Sequence, residues 1–241
     1  MRNVRDDAVV LRTYKSGESD RVVVLWTKHH GKVRAIAKGV RKPSSKLGSA
    51  LEPLAFVDVL LAEGRGDLWI VQQVGHHSGF PLIRSDFDRV TAAMALVEAV
   101  DAVPSDEHAD EELFTMLARA LATLNEPLNF PRLVPASFFL KMLALDGSLP
   151  QLDACVDCGA STPLTTFDAE SGGVLCADCR HGRPLSAEAL LLLRRILGGD
   201  LANVLHEADP AGASDVVQIA NDALERHLGK RFRVGRSTPP T

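Results

Sequence analysis

The chain has 241 residues, enough for one large domain or two modest ones with a real core. It is 46% hydrophobic and 24% charged, with mean hydropathy of +0.03. No apolar run approaches the roughly 18 residues of a membrane helix, which excludes a helical membrane protein. The opening MRNVRDDAVVLRTYK has no apolar signal-peptide core, so cytoplasm is the expected compartment. In that reducing setting, four cysteines read as metal ligands before disulfides.

The net charge of −4 conceals a strong asymmetry. Residues 1–50 hold twelve Lys/Arg against four Asp/Glu, and six of the eight lysines. Residues 51–225 hold ten basic and twenty-seven acidic residues, and residues 226–241 hold five basic and no acidic ones. A solvated face is the ordinary meaning of a charge run. Here the excess is one-signed and confined to one segment, which points to a surface for a polyanion.

In chain order, the first eighty residues predict strands. Val9–Tyr14, Arg21–Thr27, Lys32–Val40, Ala55–Ala62 and Leu68–Val74 are rich in β-branched and aromatic residues. Turn signals separate them at 16–20, 29–31, 43–45 and 63–66. Five strands without an intervening helix predict a five-stranded barrel such as the OB-fold, and an SH3-like barrel has the same periodicity. Along the third strand Val33, Ala35 and Ala37 share one face, and Lys32, Arg34, Ile36 and Lys38 share the other. Arg41, Lys42 and Lys46 follow in a Pro/Ser-containing loop, and Arg12 and Lys15 lie on the first strand. These eight cations are the candidate nucleic-acid contacts. Tyr14, Trp26 and Trp69 are candidate stacking platforms, although a small barrel needs large side chains in its core. The pairs His29–His30 and His76–His77 fall in predicted loops, where exposed or phosphate-facing rings are expected.

After Pro81 the period becomes helical. Helices are expected over 85–102, with a Ser85/Asp88 capping box, and over 105–124. The acids Asp106, Glu107, Asp110, Glu111 and Glu112 crowd the start of the second, where the helix dipole favours them. Further helices are expected from Phe138 to Leu145, from Ser186 to the Gly198–Gly199 stop, and from Ser214 to Leu228 with Gly229 as C-cap. The LLLL run at 190–193 marks the fourth of these as the central helix. Lys230, Arg231 and Arg233 form a second basic cluster that extends a DNA path or folds back onto the acidic middle.

Between the third and fourth of these helices lies Cys155-x2-Cys158, then Cys176-x2-Cys179. Two CxxC pairs at this separation are a zinc signature. Two residues between ligands let both sulfurs reach one tetrahedral ion, and four thiolates leave no open position for catalysis. One structural Zn2+ per chain is therefore expected, with a redox pair or an iron–sulfur cluster as the competing readings. No phosphate-loop or HExxH motif occurs, and no acid/base dyad stands out, so the chain does not read as an enzyme.

These blocks resemble the RecO family of bacterial recombination mediators. The resemblance runs through Gly17, Glu18 and Asp20, the strand ending in LWT, and HGKVRAIAKGVRKPSSKLGSALEPL. It continues through LKMLALDGSLPQLDACVDCG and GGVLCADC, and covers nearly the whole length. The segment Met94–Glu98 lacks the tyrosine such a helix would carry. The resemblance implies an α+β multidomain chain: a five-stranded OB-fold β-barrel over 1–80, then an all-helical domain over 81–241 with an inserted four-cysteine zinc ribbon at 150–183. It also implies binding of single- and double-stranded DNA, strand annealing, and help in loading RecA onto DNA coated by single-strand binding protein. RecR and single-strand binding protein would be direct partners, RecA an indirect one, and the protein would be nucleoid-associated in the cytoplasm, with no membrane. The competing reading is a zinc-ribbon interaction scaffold that touches nucleic acid incidentally. An RNA-processing enzyme is a third, which the missing catalytic residues disfavour.

Overall fold

The computed structural model describes residues 3–42, 45, 48–64, 66–104 and 109–232. The chain forms two compact units, Met1–Ser85 with Leu96–Asn125, and Asp86–Ala95 with Glu126–Thr241. This partition differs from a cut after residue 80, because residues 96–125 group with the barrel.

The first unit is built on five strands: β1 (Asn3–Ser16), β2 (Asp20–Thr27), β3 (Gly31–Ala37), β4 (Phe56–Ala62) and β5 (Leu68–Ser78). They pair in the order β1-β2-β3-β5-β4, and β1 returns to β4 to close a barrel of the OB type. The SH3-like alternative falls here. Only β3 and β5 pair in parallel, from Arg34↔Leu68 to Ile36↔Ile70. β1 serves two neighbours, β4 through Val9 and β2 from Ala8 onward, and an irregularity between Val10 and Arg12 bends it from one to the other. Alternation decides the interior: Ala8 and Val10, Val23 and Leu25, Val33, Ala35 and Ala37 point inward with Val57, Val59 and Leu61.

A five-residue helix, α1 (Pro81–Ser85), precedes α2 (Phe87–Ala102) and α3 (Glu111–Leu124). The expected Ser85/Asp88 box does not form. Asp86 accepts the Arg89 amide at 2.8 Å as the cap, and the Ser85 hydroxyl donates to Leu82 O within α1. α3 starts at Glu111 with Asp110 accepting the Leu113 amide, so the acids at 110–112 are a cap and a dipole complement. The expected acids at 106 and 107 lie outside the described residues.

The second unit contains α4 (Leu133–Leu145), α5 (Ala187–Leu197), α6 (Leu201–Val204) and α7 (Ala213–Leu228). The central helix is α4, buried on nearly every side, and not α5. Four successive leucines on α5 sweep most of a turn, so one must face away; Leu191 is that one, 60% exposed. α4 begins five residues earlier than expected, with Pro135 tolerated in its first turn. Gly229 at φ 62° ends α7, as expected. The strands β6 (Leu164–Asp168), β7 (Gly173–Cys176) and β8 (Arg183–Pro184) form a small sheet in the order β7-β6-β8.

Candidate nucleic-acid interface and metal centre

The turn after β3 folds against the turn between β1 and β2. Asp20 accepts the Gly39 amide at 2.7 Å and the Ser19 hydroxyl at 3.1 Å. The Arg41 guanidinium donates to the carbonyls of Gly17 and Glu18, and its amide to Ser19 O. The Gly39 amide holds the Asp20 carboxyl below its ordinary range against a desolvation cost, helped by Ser19 and by the charges of Lys38 and Lys42. Registers place Lys15 beside Arg21, and Arg21 beside Ala37. Lys15, Lys38, Arg41 and Lys42 thus gather at one exposed end of the barrel.

On the outer face of β3, Arg34 donates through Nε (3.2 Å) and Nη2 (2.9 Å) to the Tyr14 hydroxyl. Tyr14, in register with Val22 on the outer face of the barrel, is 39% exposed and not part of the barrel core. Trp26 is buried as expected, but on the outer face of the barrel in register with Lys32, whereas Trp69 packs against the barrel core. Arg12 and Lys32 have another task. Arg12 pairs with Asp101 at 3.0 Å, and Lys32 Nζ donates to the carbonyls of Asp101 (2.8 Å) and Val103 (2.5 Å). These are the C-terminal groups of α2, where the dipole favours a cation. Lys46 and Arg233 lie outside the described residues. Lys230 and Arg231 are exposed just past α7, in the second unit. Phe232 after them is buried, its ring stacked on Phe139 (centroids 6.0 Å) and its amide held by Glu225.

The histidine doublet does not simply face solvent. Asp6, on the inward face of β1, accepts from the His29 amide (3.0 Å), His29 Nδ1 (2.9 Å) and His30 Nδ1 (2.6 Å). Burial pushes the Asp6 carboxyl up, but the bonds from His30 and His29 outweigh it and hold it below its ordinary value. The only hint in the sequence is Asp6 falling in phase with Ala8 and Val10. The second doublet lies in β5 rather than a loop, with His77 Nε2 against Asp7 at 2.8 Å. Beside His29 and His30 opens a groove of about 800 Å³, walled also by Arg34, Asp67 and Trp69.

The four cysteine sulfurs lie within 4.8 Å of one another, with Cys158 and Cys176 at 3.6 Å. A tetrahedral ion with metal–sulfur bonds of about 2.3 Å needs sulfurs about 3.8 Å apart. The first knuckle closes by Gly159 N to Cys155 O (2.9 Å) and Cys155 N to Ala160 O (2.8 Å), with Gly159 at φ 78°. Burial opposes ionisation of the Cys155 thiol, but amides of Cys176, Cys158 and Asp157 bring it down to about 6. The neighbouring sulfurs of Cys158 and Cys176 push Cys179 up to about 12. One thiolate is favoured and a full set is not, unless a cation sits among them. The donor set therefore fits a metal ion.

The ribbon is tied to the helices of its own unit. Arg183 on β8 contacts Asp222 and Gln218 of α7. Gly173 lets β7 approach Gln151, since a Cβ there would lie 2.5 Å from Gln151 O. Elsewhere in this unit a small cavity of about 120 Å³ is lined by Ala92, Phe130, Arg132, Pro135, Phe139 and Val217, with Arg132 paired to Asp88 at 2.9 Å. Nothing in the sequence marked it. Among the described residues, no helix is long and apolar enough to cross a membrane.

Residues 1–80 match the family model for the N terminal of recombination protein O, and residues 84–236 match that for its C terminal. The chain is 41% identical over 209 residues to the DNA repair protein RecO of Cutibacterium acnes, covering 83% of this chain and 84% of that one. It is 37% identical to the protein of that name from Streptomyces griseus, covering 95% and 96%. With the one from Bifidobacterium longum it shares 42% over 95% of each chain.

Proposed function

Because this chain belongs to the RecO family, whose members are named for DNA repair, we propose that it is a DNA-binding recombination mediator of the cytoplasmic nucleoid. In this reading it binds single- and double-stranded DNA and anneals complementary strands. With RecR it helps load RecA onto DNA coated by single-strand binding protein. The observation that carries the reading is the cationic end of the barrel, where Lys15, Lys38, Arg41 and Lys42 gather beside Arg34.

Annealing requires two polyanions to approach. Clustered cations reduce their repulsion, and the release of counterions drives binding. Arg41 is held by backbone carbonyls of the β1–β2 turn, so its charge is fixed in place before DNA arrives. Arg12 and Lys32 serve first to hold the end of α2, and contribute to the field at longer range.

One Zn2+ per chain fits the four thiolates, where it would supply crosslinking and charge neutralisation in a filled shell. Cys155, Cys158, Cys176 and Cys179 would hold it. The cavity beside Arg132 has apolar Phe130, Pro135 and Phe139 and polar Thr91, Gln218 and Asn221 in its lining. It is the candidate seat for the acidic tail of single-strand binding protein, which would compete with Asp88 for Arg132.

The test is DNA binding by the quadruple alanine variant of Arg34, Lys38, Arg41 and Lys42. Its single-strand affinity should fall, and its log–log salt slope should flatten by about 0.7 for each phosphate that is no longer neutralised. A folded variant with unchanged affinity and slope would refute this face. A parallel assay follows annealing of complementary oligonucleotides coated with single-strand binding protein. No acceleration, together with tight binding to another protein, would favour the scaffold reading.

A further inference from the structure

We infer that the groove between the β2–β3 turn and the β4–β5 turn is a slot for an unpaired nucleobase, with the Trp69 indole as its stacking platform. The inference rests on the DNA-binding reading above and adds to it where a base, as opposed to a phosphate, would sit.

Trp69 stands opposite Ala35 across the parallel β3–β5 pair. It packs against the barrel core while also lining the groove. Part of the ring is thus anchored and part is open. His30 meets it edge-on, with centroids 6.2 Å apart and planes at 63°, so the imidazole borders the indole without stacking over it. His30 is itself held by Asp6 at 2.6 Å. A flat ring, fixed from behind and walled at its side, is a preorganised surface for another flat ring.

The opposite wall is fixed by its backbone. At Gly64 a Cβ would lie 2.0 Å from Leu68 O, and Gly66 adopts φ 64°. A side chain is therefore excluded at Gly64 and strained at Gly66.

Charge selects the occupant. The cationic end of the barrel carries Lys15, Lys38, Arg41 and Lys42, but the groove sets Glu63 and Asp67 against Lys32 and Arg34. Lys32 is engaged by the Asp101 and Val103 carbonyls and Arg34 by the Tyr14 hydroxyl. So balanced a lining favours an uncharged occupant over a phosphate, and the exposed Asp67 carboxylate can accept a hydrogen bond from the exocyclic amine of a base. A nucleobase has apolar faces, a polar edge and no charge, which matches an indole between such walls. Bases in a duplex are already paired and stacked, so the slot discriminates for single strands.

The chain's two tryptophans provide the assay. Trp26 is 3% exposed, whereas Trp69 is partly open. Titration of the full chain with oligothymidine should quench indole emission saturably, and Trp69→Phe should abolish that quenching. Trp69→Ala should weaken single-strand binding on the order of tenfold, and leave binding of a duplex and of an abasic strand unchanged. Unquenched emission at saturating oligonucleotide would overturn the slot while leaving DNA binding intact. So would unchanged single-strand affinity in a Trp69→Ala chain that melts like the parent. If neither single strand nor duplex binds the parent chain, the DNA-binding reading fails and the slot with it.

Discussion

Arg183, on the last strand of the ribbon, meets Asp222 of α7 through two guanidinium nitrogens, Nε at 3.0 Å and Nη2 at 2.8 Å. Both side chains are about one-third exposed, so the pair is partly shielded. Charge-assisted bonds of this kind exceed neutral ones, and partial exposure reduces their worth. Arg183→Ala should cost about 1 kcal/mol in urea unfolding. A double-mutant cycle with Asp222→Ala should show coupling of similar size. Additive losses would mean that the Arg183–Asp222 pair contributes no coupling and that other contacts, such as Arg183 with Gln218, hold the ribbon.

Asp6 gives a pH dependence with a defined sign. Its folded carboxyl lies below the ordinary 3.8 because His30 and His29 donate to it more strongly than burial opposes ionisation. A depressed acid contributes its stability fully above the unfolded value and loses it as pH falls through the folded one. Asp6→Asn should therefore destabilise the chain at pH 7, by about 1–3 kcal/mol for donors left poorly paired. The gap to the parent should narrow below pH 3.8. An equal gap at neutral pH and well below that value would contradict the assignment.

Lys32 separates structural from DNA-contacting cations. Its ammonium occupies the carbonyls of Asp101 and Val103, so Lys32→Ala should lower stability by about 1 kcal/mol. The salt slope of DNA binding should change less than for Lys38→Ala or Lys42→Ala. The reverse ranking would make Lys32 a phosphate contact first.

Metal removal should act locally. A strong chelator is expected to expose residues 155–179 to protease while the barrel keeps its β signature, because the thiolates lie wholly within the ribbon. Metal analysis should find one zinc per chain, and none in Cys176→Ser. Loss of the barrel signal on chelation would show that the ribbon supports more than its own sheet.

The barrel was legible because its strands alternate: Val33, Ala35 and Ala37 announce an inner face without help from any partner. The start of β1 was not, since Arg5, Asp6 and Asp7 look like a loop until His29 and His30 arrive to satisfy Asp6. The cysteines were legible because ligand spacing is a local property. The bonds of Arg12 and Lys32 to the end of α2 were not, because they join residues about seventy to ninety positions apart. Of the aromatics, Trp69 packs against the barrel core, as a small barrel demands. Trp26, buried on the outer face, and Tyr14, exposed there, could not be placed by propensity, since what covers the outer face is not local in sequence.

The stacking of Phe232 on Phe139 bears on how the basic cluster beyond α7 can be probed. Phe139 also lines the cavity beside Arg132. A chain truncated before Phe232 would lose more than cations: it would unpack a core ring and disturb that cavity. Weakened partner capture would then be mistaken for an effect of charge. Truncation after Phe232, or neutralisation of Lys230 and Arg231 in the full-length chain, keeps the aromatic plug in place and isolates the electrostatic contribution.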